Sequence, residues 1–405
     1  MRASTYPLVE AGEAAARVLD RMPVLSGEDV HLSEAAGRVM VEDLVAQGDL
    51  PPFPSSAVDG YAIRAADAGE RLVVVGESAA GRPFDGELPP GAAAAILTGG
   101  VVPSGADTVV MVEDVEVGEG WVVVPPDTPA GRNFHRPGDD LRQGDLVLSR
   151  GLPLGPAELG LAAAIGAARL HVYRRPRAAL MSTGDELVEV GQAPGPGQVV
   201  DSNRWALLAA LEEAGAQVTQ LGVAPDRPEP LRELVQEALS DHDVLVTSGG
   251  VSVGTHDLVK PLLESLGEVH LGRVKLRPGK PFTFATLPEG RVAFGLPGFP
   301  VSSLITFEVF VRPALRRMQG HAQLQRPTLM VRLGYDARAP GDRTEYQRVT
   351  LAREGDELVA RSTGSQSSSR LMSLAGAHAL VRVPPGEEGI SAGTRVEAVV
   401  LSLPA

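Results

Sequence analysis

The clearest pattern of hydrophobic and polar positions lies between residues 174 and 320, where short apolar runs alternate with amphipathic segments. Apolar runs of strand length occupy Ala178–Ser182, Gln217–Val223 and Asp243–Thr247. Between and after these runs, leucines recur at helical spacing, most clearly from Leu231 to Leu239. The alternation of strands with helices predicts a parallel, doubly wound α/β sheet, whose ligands bind beyond the carboxyl ends of the strands.

The stretches on either side of this region carry different patterns. Helices and strands in the first part of the chain are predicted at Pro7–Met22, Val39–Ala46, Leu154–Ile165 and Leu170–Tyr173. Short strands separated by Gly and Pro turns fill residues 71–124, which predicts a small β domain inserted into the first domain. Alternating strands return after about Arg326 and predict a separate C-terminal β domain.

Length and composition limit the number of domains and the classes of function that this chain can have. At 405 residues the chain is too long for one ordinary core, so about two to four domains are expected. A net charge of -14 argues against non-specific binding of nucleic acid. The sequence has no cysteine, which excludes disulfides, thiolate nucleophiles and zinc–thiolate sites. It shows neither an apolar run of membrane length nor a secretory signal, so we expect a cytoplasmic protein.

Acidic residues follow several of the predicted strands. The run Asp243–Thr247 ends at Ser248-Gly249-Gly250, where the near absence of side chains lets a ligand approach backbone amides. Glu186 and Asp226 follow two other strands, and Asp257 opens the next predicted helix. Carboxylates gathered at one sheet edge beside glycine amides predict a metal-assisted phosphate or pyrophosphate site. Taken alone, the glycine segment suits an ordinary strand-to-helix turn equally well.

Two further turns carry anion-binding chemistry. Arg277 and Lys280 flank a Pro-Gly turn. The planar guanidinium of Arg277 offers an oxyanion several N–H donors, and the ammonium of Lys280 offers a compact positive charge. A hairpin turn with solvated basic side chains is the alternative. The glycine turn at Gly295–Ser303 precedes an apolar helix, and its amides suit an anion together with the Ser302 hydroxyl.

Three loops are ambiguous when each is taken by itself. The proline-rich segment 49–62 contains Asp59-Gly60, which can form a tight turn that presents its carboxylate to a ligand. The alternative is a turn at a domain boundary without a functional role. The loop 133–145 holds Asp140 among arginines, a pattern that also suits a solvated surface turn. The hydroxyl-rich stretch 363–370 has the composition of a flexible connector.

Taken together, these stretches carry a series of motifs in a fixed order. They are Ser56-Ala-Val-Asp-Gly-Tyr-Ala62, Gly138-Asp-Asp140, Ser182-Thr-Gly-Asp-Glu-Leu187, Ser248-Gly-Gly-Val-Ser-Val-Gly254 with Asp257, Arg277-Pro-Gly-Lys-Pro281, Gly295-Leu-Pro-Gly298 with Pro300-Val-Ser302, and Gly364 with Gln366. Their order resembles the molybdopterin molybdenumtransferase family, the MoeA proteins related to the E domain of gephyrin. The resemblance covers essentially the whole chain.

The resemblance implies a multidomain α/β plus β fold. Its expected parts are an elongated mixed dimerisation domain at residues 1–48 and 145–175, an inserted small β domain at 49–144, a doubly wound molybdopterin-binding α/β domain at 176–324, and a C-terminal β domain at 325–405. It also implies a homodimer, with each active cleft formed by the α/β domain of one subunit and the inserted domain of the other.

The implied reaction belongs to molybdenum cofactor biosynthesis. Adenylylated molybdopterin and molybdate yield molybdenum cofactor and AMP, with a divalent cation that is usually magnesium. No protein nucleophile is needed, because the dithiolene sulfurs of the substrate capture the metal. A molybdopterin adenylyltransferase is a candidate partner, whereas neither nucleic acid nor a membrane is expected.

The resemblance also assigns roles to individual residues by position. The expected catalytic residues are Asp59, Asp140, Glu186, Asp257 and Lys280. The expected substrate and nucleotide contacts are Thr183, Asp226, Ser248, Gly249, Gly250, Ser252 and Gly254. Molybdate is expected at Arg277, Lys280, Ser302, Arg348 and Ser368, and magnesium at Glu186 and Asp257.

Two positions depart from the family pattern. Arg277 stands where the family has lysine, which keeps the charge but changes the donor geometry. Phe299 stands where the family has asparagine, which removes a hydrogen-bond donor and an acceptor. The second change bears on how the oxyanion is bound, and a preference for tungstate over molybdate is the resulting alternative.

Two further hypotheses compete with the transferase. An adenylyltransferase that activates molybdopterin would share the glycine-rich α/β domain, but the additional domains and the motifs around Asp59 and Asp140 argue against it. A binding or scaffold protein that kept the fold without catalysis is the other. The retained acidic positions argue against a scaffold, and Phe299 is the feature in its favour.

Overall fold

The computed structural model describes residues 6–251 and 258–403, and these residues form two compact units. The α/β unit contains the described residues up to Glu28, those of 37–41 and those from Val172 onward. The β unit contains residues 29–36 and 42–171. Within the described ranges, no helix has the length and apolar character needed to cross a bilayer.

The chain contains many short strands before residue 174 and longer ones after it. The first group is β1 Val9–Glu10, β2 Gly27–His31, β3 Leu44–Val45, β4 Ser55–Ser56, β5 Gly60–Ile63, β6 Arg71–Ser78, β7 Ala92–Ile96, β8 Thr108–Met111, β9 Glu116–Gly118, β10 Trp121–Val123, β11 Phe134–His135, β12 Leu146–Leu148 and β13 Arg169–Tyr173. The second group is β14 Arg177–Thr183, β15 Leu187–Val188, β16 Val199–Val200, β17 Gln217–Ala224, β18 Val244–Ser248, β19 Glu268–Arg277, β20 Pro281–Thr286, β21 Val292–Leu296, β22 Thr328–Leu333, β23 Thr344–Glu354, β24 Glu357–Ser362, β25 Ala379–Val383 and β26 Arg395–Val400.

Most of the α-helices accompany the second group of strands. They are α1 Ala11–Leu19, α2 Pro156–Ala164, α3 Asn203–Glu213, α4 Pro228–Asp241, α5 Val259–Leu266, α6 Pro300–Thr306 and α7 Arg312–Met318. A π-helical turn, Phe307–Val311, joins α6 to α7.

The α/β unit is built on a sheet with the strand order β17-β14-β18-β21-β20-β19. The first four strands are parallel, which confirms the predicted α/β sheet. The sheet is not parallel throughout, because β20 runs antiparallel to both β21 and β19. Only Pro278, Gly279 and Lys280 separate β19 from β20, and a parallel pair would need a crossover connection of about a dozen residues.

Successive residues of the central strands face opposite sides of this sheet, as the two-residue strand period requires. Leu180 and Phe294 belong to one buried cluster, which contains side chains of α1, α3, α6 and α7. Met181 and Ala293 belong to a second cluster, which contains side chains of α4 and α5. The sheet is therefore covered on both faces, which explains the continuously apolar sequence of its strands.

Two segments distant in sequence cover the outer edge of β19. Val9 in β1 pairs with Val274, and Thr344 in β23 pairs with Leu276. The predicted C-terminal strands are present in the order β23-β24-β22-β26-β25. They do not form a separate sheet, since β23 continues the α/β sheet by hydrogen bonding to β19. The four-domain division of the sequence stays a prediction.

Two predicted elements of the first part of the chain have different bounds in the structure. The helix expected over Pro7–Met22 begins at Ala11, because the residues before it are drawn into the sheet as β1. The strand expected over Val39–Ala46 is reduced to β3. Asp43 interrupts the pattern, since its carboxylate accepts a 2.7 Å hydrogen bond from the backbone N–H of Arg150.

The β unit contains a six-stranded sheet with the order β8-β5-β7-β6-β10-β9. Its strands confirm the predicted run of short strands across residues 71–124. Ile63, Leu72, Val110 and Val122 are buried together in its core. This unit therefore has an apolar centre of its own.

Candidate functional site

A cavity of about 660 Å³ lies beyond the carboxyl ends of the parallel strands of the α/β unit. Thr183 ends β14, Ser248 ends β18, and Asp226 follows β17, and all three line this cavity. The volume is in the usual range for small-molecule sites, which is about 300–1,000 Å³. The sheet topology thus brings residues separated by more than 60 positions to one place.

The glycine turn after β18 forms one wall of the cavity. Gly249 and Gly250 have positive φ angles of +88° and +67°. A Cβ atom on Gly249 would lie 2.5 Å from the carbonyl oxygen of Thr183, and one on Gly250 would lie 2.8 Å from Thr183 Oγ1. Only glycine fits here, because the ends of β14 and β18 approach each other so closely.

Thr183 and Glu186 form the wall that follows β14. The Oγ1 atom of Thr183 is buried and has no hydrogen-bond partner among the described residues, so a ligand would satisfy it. The Glu186 carboxylate is exposed and folds over the backbone of Gly184, where a Cβ atom would lie 2.4 Å from Glu186 Oε2. Glu186 is also part of the lining of the cavity.

The charged side chains that line the cavity are acidic. They are Glu186, Asp201 and Asp226, and the described lining includes no lysine or arginine. Asp201 is buried and accepts a 3.0 Å hydrogen bond from Arg204 Nε, so its charge is already paired. A phosphate placed against these carboxylates would be repelled unless a cation lay between them.

Asn203, the first residue of α3, joins two of the cavity walls. Its Nδ2 atom donates a 2.7 Å hydrogen bond to Ser248 Oγ and another of 2.7 Å to the carbonyl oxygen of Gly298. The Gly298 carbonyl can only accept, which fixes the orientation of the amide. The sequence predicts a helix start at this residue but gives no sign that it connects β18 to the turn before α6.

The cavity also has an apolar part. It is formed by Leu187, Val199, Val200, Pro297, Phe299 and Pro300. The Phe299 side chain is 60% exposed, whereas Phe294, five residues earlier, is fully buried. The sequence connects Phe299 with oxyanion binding through the family pattern, and its exposure in the cavity lining is visible only in the structure.

The basic turn between β19 and β20 is a hairpin, as one of the two sequence interpretations expected. Arg277 is half-exposed, and its Nε atom lies 3.3 Å from a carboxylate oxygen of the buried Glu345 in β23. Lys280 is exposed, and the next residue, Pro281, lines the cavity. The two basic side chains are therefore close in sequence to the cavity wall without belonging to it.

The predicted molybdate residues of the C-terminal strands have structural partners. Ser302 lines the cavity, and the neighbouring Val301 N–H donates a 3.1 Å hydrogen bond to the carbonyl oxygen of Ser368. Arg348 is fully buried, and burial lowers its pKa to about 10. Its guanidinium donates to Ser373 Oγ at 3.1 Å and to the Ser367 carbonyl at 3.3 Å, so it holds the loop that carries Ser368.

Two of the predicted acidic residues belong to the β unit. Asp59 is exposed and accepts hydrogen bonds from the Thr98 N–H at 2.6 Å and the Thr98 hydroxyl at 2.7 Å. The backbone hydrogen bond contributes most to lowering the pKa of this carboxyl. Asp140 is also exposed, and its backbone N–H donates to the carbonyl of Leu50 at 3.0 Å.

The predicted residues thus fall into separate groups. The cavity unites Thr183, Glu186, Asp226, Ser248, Gly249, Gly250 and Ser302. Arg277, Lys280, Arg348 and Ser368 belong to the same unit without lining it. Ser252, Gly254 and Asp257 lie outside the described residues. Across 6–251 and 258–403, no three carboxylates or imidazoles are clustered closely enough to hold a metal ion by themselves.

Comparison with family signatures divides the chain into three matched regions. Residues 9–166 match the MoeA N-terminal region (domain I and II), and residues 179–317 match a probable molybdopterin binding domain. Residues 330–401 match the MoeA C-terminal region (domain IV). The fold is therefore that of a MoeA-like multidomain protein.

Whole-chain relatives agree with these regions. A molybdopterin molybdenumtransferase of Haemophilus influenzae is 35% identical over 390 residues, which cover 95% of this chain and 96% of the relative. A gephyrin of Dictyostelium discoideum is 33% identical and matches 99% of this chain, which spans 63% of its length. A solved molybdopterin biosynthesis MoeA protein of Pyrococcus horikoshii has a TM-score of 0.81 at 30% identity, covering 97% of this chain and all of that one.

The chain belongs to the molybdopterin molybdenumtransferase family. It is a transferase of molybdenum cofactor biosynthesis.

Proposed function

We propose that this protein transfers molybdate to adenylylated molybdopterin and releases AMP, acting in the cytoplasm on a substrate supplied by an adenylyltransferase. One observation carries this proposal. A single cavity combines the glycine turn at Gly249 and Gly250 with the carboxylates of Glu186 and Asp226, and no basic side chain is among its described lining. Such a site suits a pyrophosphate that arrives with a divalent cation.

Magnesium fits this donor set. It prefers oxygen ligands and usually keeps several waters while it is bound by one or two carboxylates and substrate phosphates. Glu186 and Asp226 would hold it, and Asp257 is the further ligand proposed from the sequence. When bound, the ion neutralises phosphate charge and stabilises the leaving AMP. The protein's own contribution is the glycine turn, where the absence of side chains lets the phosphates approach the backbone N–H of Gly250.

We propose that molybdate binds beside Ser302, near the hairpin that carries Arg277 and Lys280. A tetrahedral dianion suits guanidinium, ammonium and hydroxyl donors. Arg277 and Lys280 are exposed enough to reach a ligand, whereas the buried Arg348 is occupied by the loop of residues 367–373. Its proposed role is to hold Ser368 beside the start of α6, where the Val301 N–H reaches the Ser368 carbonyl.

Asp59 and Asp140 are proposed to act across a homodimer. Both carboxylates are exposed in the β unit, and the hydrogen bonds from Thr98 keep Asp59 ionised at neutral pH. An exposed, orientationally fixed carboxylate is available to a substrate bound by another subunit. Sedimentation equilibrium tests the dimer, and mixing Asp59→Asn subunits with Glu186→Gln subunits tests the shared site. Recovery of activity in the mixture is expected, and its absence would contradict a composite cleft.

The experiment that tests the reaction measures AMP released from adenylylated molybdopterin, with magnesium, as molybdate or tungstate is titrated. Molybdate-dependent release is the expected result. Release with tungstate at lower concentrations would assign the oxyanion pocket to the tungstate alternative. No release with either anion, despite tight binding of the pterin, would overturn the proposal in favour of a scaffold. Formation of adenylylated molybdopterin from ATP would identify the adenylyltransferase instead.

A further inference from the structure

Phe299 is exposed in a protein that buries most of its phenylalanines. Phe282, Phe284, Phe294 and Phe307 are all fully buried, whereas 60% of the Phe299 side chain is exposed. It is the residue immediately before α6, and it lines the cavity. An exposed aromatic ring on a cavity wall is a surface that a ligand can cover.

The surroundings of Phe299 define the kind of ligand. The lining of the cavity also includes the apolar residues Val199, Val200, Pro297 and Pro300. The lining of the same cavity includes the Glu186 carboxylate and the glycine turn of Gly249 and Gly250. The cavity therefore suits a molecule with a charged group joined to a flat, weakly polar ring.

The backbone around Phe299 is fixed beside the glycine turn. The carbonyl oxygen of Gly298 accepts a 2.7 Å hydrogen bond from Asn203, and the Gly249 N–H donates one of 3.0 Å to the carbonyl of Leu296. A Cβ atom on Gly298 would lie 3.9 Å from Gly249 Cα. The backbone that precedes Phe299 therefore lies against the glycine turn proposed to bind phosphate.

We propose that Phe299 stacks against a heteroaromatic ring of the bound substrate, and this inference rests on the proposed function. In the proposed substrate the phosphate groups lie between two ring systems, the adenine at one end and the pterin at the other. Both rings have the planar face that an aromatic side chain prefers in an offset stack. The asparagine of the family pattern has a much smaller face and no aromatic ring, so stacking at this position would be a property of this chain.

The test measures binding rather than turnover. AMP and molybdopterin, each with magnesium and under anaerobic conditions, are titrated calorimetrically into the wild-type protein and into Phe299→Leu and Phe299→Tyr. Leucine keeps an apolar side chain without a π-face, and tyrosine keeps the π-face. Trp205→Leu is the matched control, because Trp205 is an aromatic residue of the same unit, 47% exposed, that does not line the cavity.

We expect Phe299→Leu to bind one of the two probes about 10-fold more weakly, with Phe299→Tyr and Trp205→Leu close to wild type. Loss confined to AMP assigns the stacked ring to adenine, and loss confined to molybdopterin assigns it to the pterin. Equal affinities of wild type and Phe299→Leu for both probes would overturn the inference while leaving the proposed function intact. A wild-type protein that binds neither probe would overturn the proposed function.

A spectroscopic measurement provides a second test that does not depend on affinity. Phe299→Trp places an indole on the cavity wall, and a stacked ring quenches its fluorescence. We expect AMP or molybdopterin to quench Phe299→Trp more strongly than the wild-type protein, which contains Trp121 and Trp205. Saturable binding with identical quenching in both proteins would contradict stacking at this position.

Discussion

Asn203 and Gly298 are 95 residues apart in sequence, yet the amide nitrogen of Asn203 lies 2.7 Å from the carbonyl oxygen of Gly298. The same nitrogen donates to Ser248 Oγ at 2.7 Å. One side chain therefore fixes the glycine turn after β18 relative to the turn that precedes α6. Since both turns line the cavity, this connection should matter for ligand affinity as well as for stability.

The first prediction concerns Asn203→Asp. The new carboxylate would face the Gly298 carbonyl, and neither oxygen carries a proton to donate. The free energy of unfolding should therefore fall by about 1–3 kcal/mol. AMP affinity should fall as well, because the two turns lose their connection. Ser248→Ala removes one acceptor and leaves the bond to Gly298, so it should cost less. Urea unfolding and calorimetry measure both effects. Unchanged AMP affinity in Asn203→Asp would contradict the positioning role.

The second prediction concerns Gly249→Ala. The added methyl group would meet the Thr183 carbonyl oxygen at 2.5 Å, and the backbone has a φ of +88°. Together these effects should lower the free energy of unfolding by roughly 3 kcal/mol. Gly191→Ala is the control, since Gly191 has a φ of +94° but nothing within 4 Å of the added atom. It should lose only about 1 kcal/mol. Equal losses would show that the close approach of β14 and β18 is unimportant.

The third prediction concerns magnesium. Glu186→Gln keeps the size of an exposed side chain and removes its charge, so unfolding should change by less than about 0.5 kcal/mol. The magnesium concentration needed for half-maximal AMP release should rise at least about 10-fold, because one anionic ligand is lost. Asp185→Asn removes the charge of the adjacent exposed residue, which does not line the cavity. If both variants need the same magnesium concentration, Glu186 is not a ligand.

The fourth prediction concerns pH. Burial, together with Arg316 and Arg312, lowers the pKa of His321 to about 4, and Arg316 donates to its Nδ1 atom at 3.2 Å. The imidazole is therefore neutral in the folded state and protonates more readily in the unfolded chain, with its pKa near 6.5. As pH falls from 6.5 towards 4, this group should lower the free energy of unfolding by up to about 3 kcal/mol.

His321→Gln should remove this contribution, since glutamine does not titrate. The difference in stability between wild type and variant, measured by urea unfolding at pH 7 and pH 4.5, should change by about 2–3 kcal/mol. His135→Gln removes an exposed imidazole of the β unit and should leave the pH dependence of the wild-type protein in place. Parallel pH profiles of wild type and His321→Gln would contradict a neutral buried His321.

Local sequence patterns predicted the elements of the α/β unit because its strands obey a simple physical rule. Residues such as Leu180 and Met181 pack on opposite faces of one sheet, and both faces are covered, so the strands are apolar throughout. Ligands of parallel sheets bind at the carboxyl ends of the strands, and this rule predicts that Glu186, Asp226 and Ser248 lie together. All three line the same cavity. These features depend on short segments and on topology.

Other features depend on contacts that no short segment encodes. The Asp-Ser-Asn sequence at residue 203 predicts a helix start, but its partner Gly298 is far away in the chain. The antiparallel direction of β20 follows from a turn whose hairpin form was one of two possibilities. The pairing of Thr344 with Leu276 joins the C-terminal strands to the α/β sheet and depends on which edge is open in three dimensions.

The pairing of two separate segments with the edge of β19 also has a consequence for the synthesis and folding of this polypeptide. The segment around Val9, which pairs with one part of the β19 edge, is synthesised before β19. The segment around Thr344, which pairs with the other part, leaves the ribosome about 70 residues after β19. During that interval half of the edge presents unpaired N–H and C=O groups, which is the geometry that recruits strands from other chains. Translation speed between these two points should therefore influence the yield of active protein.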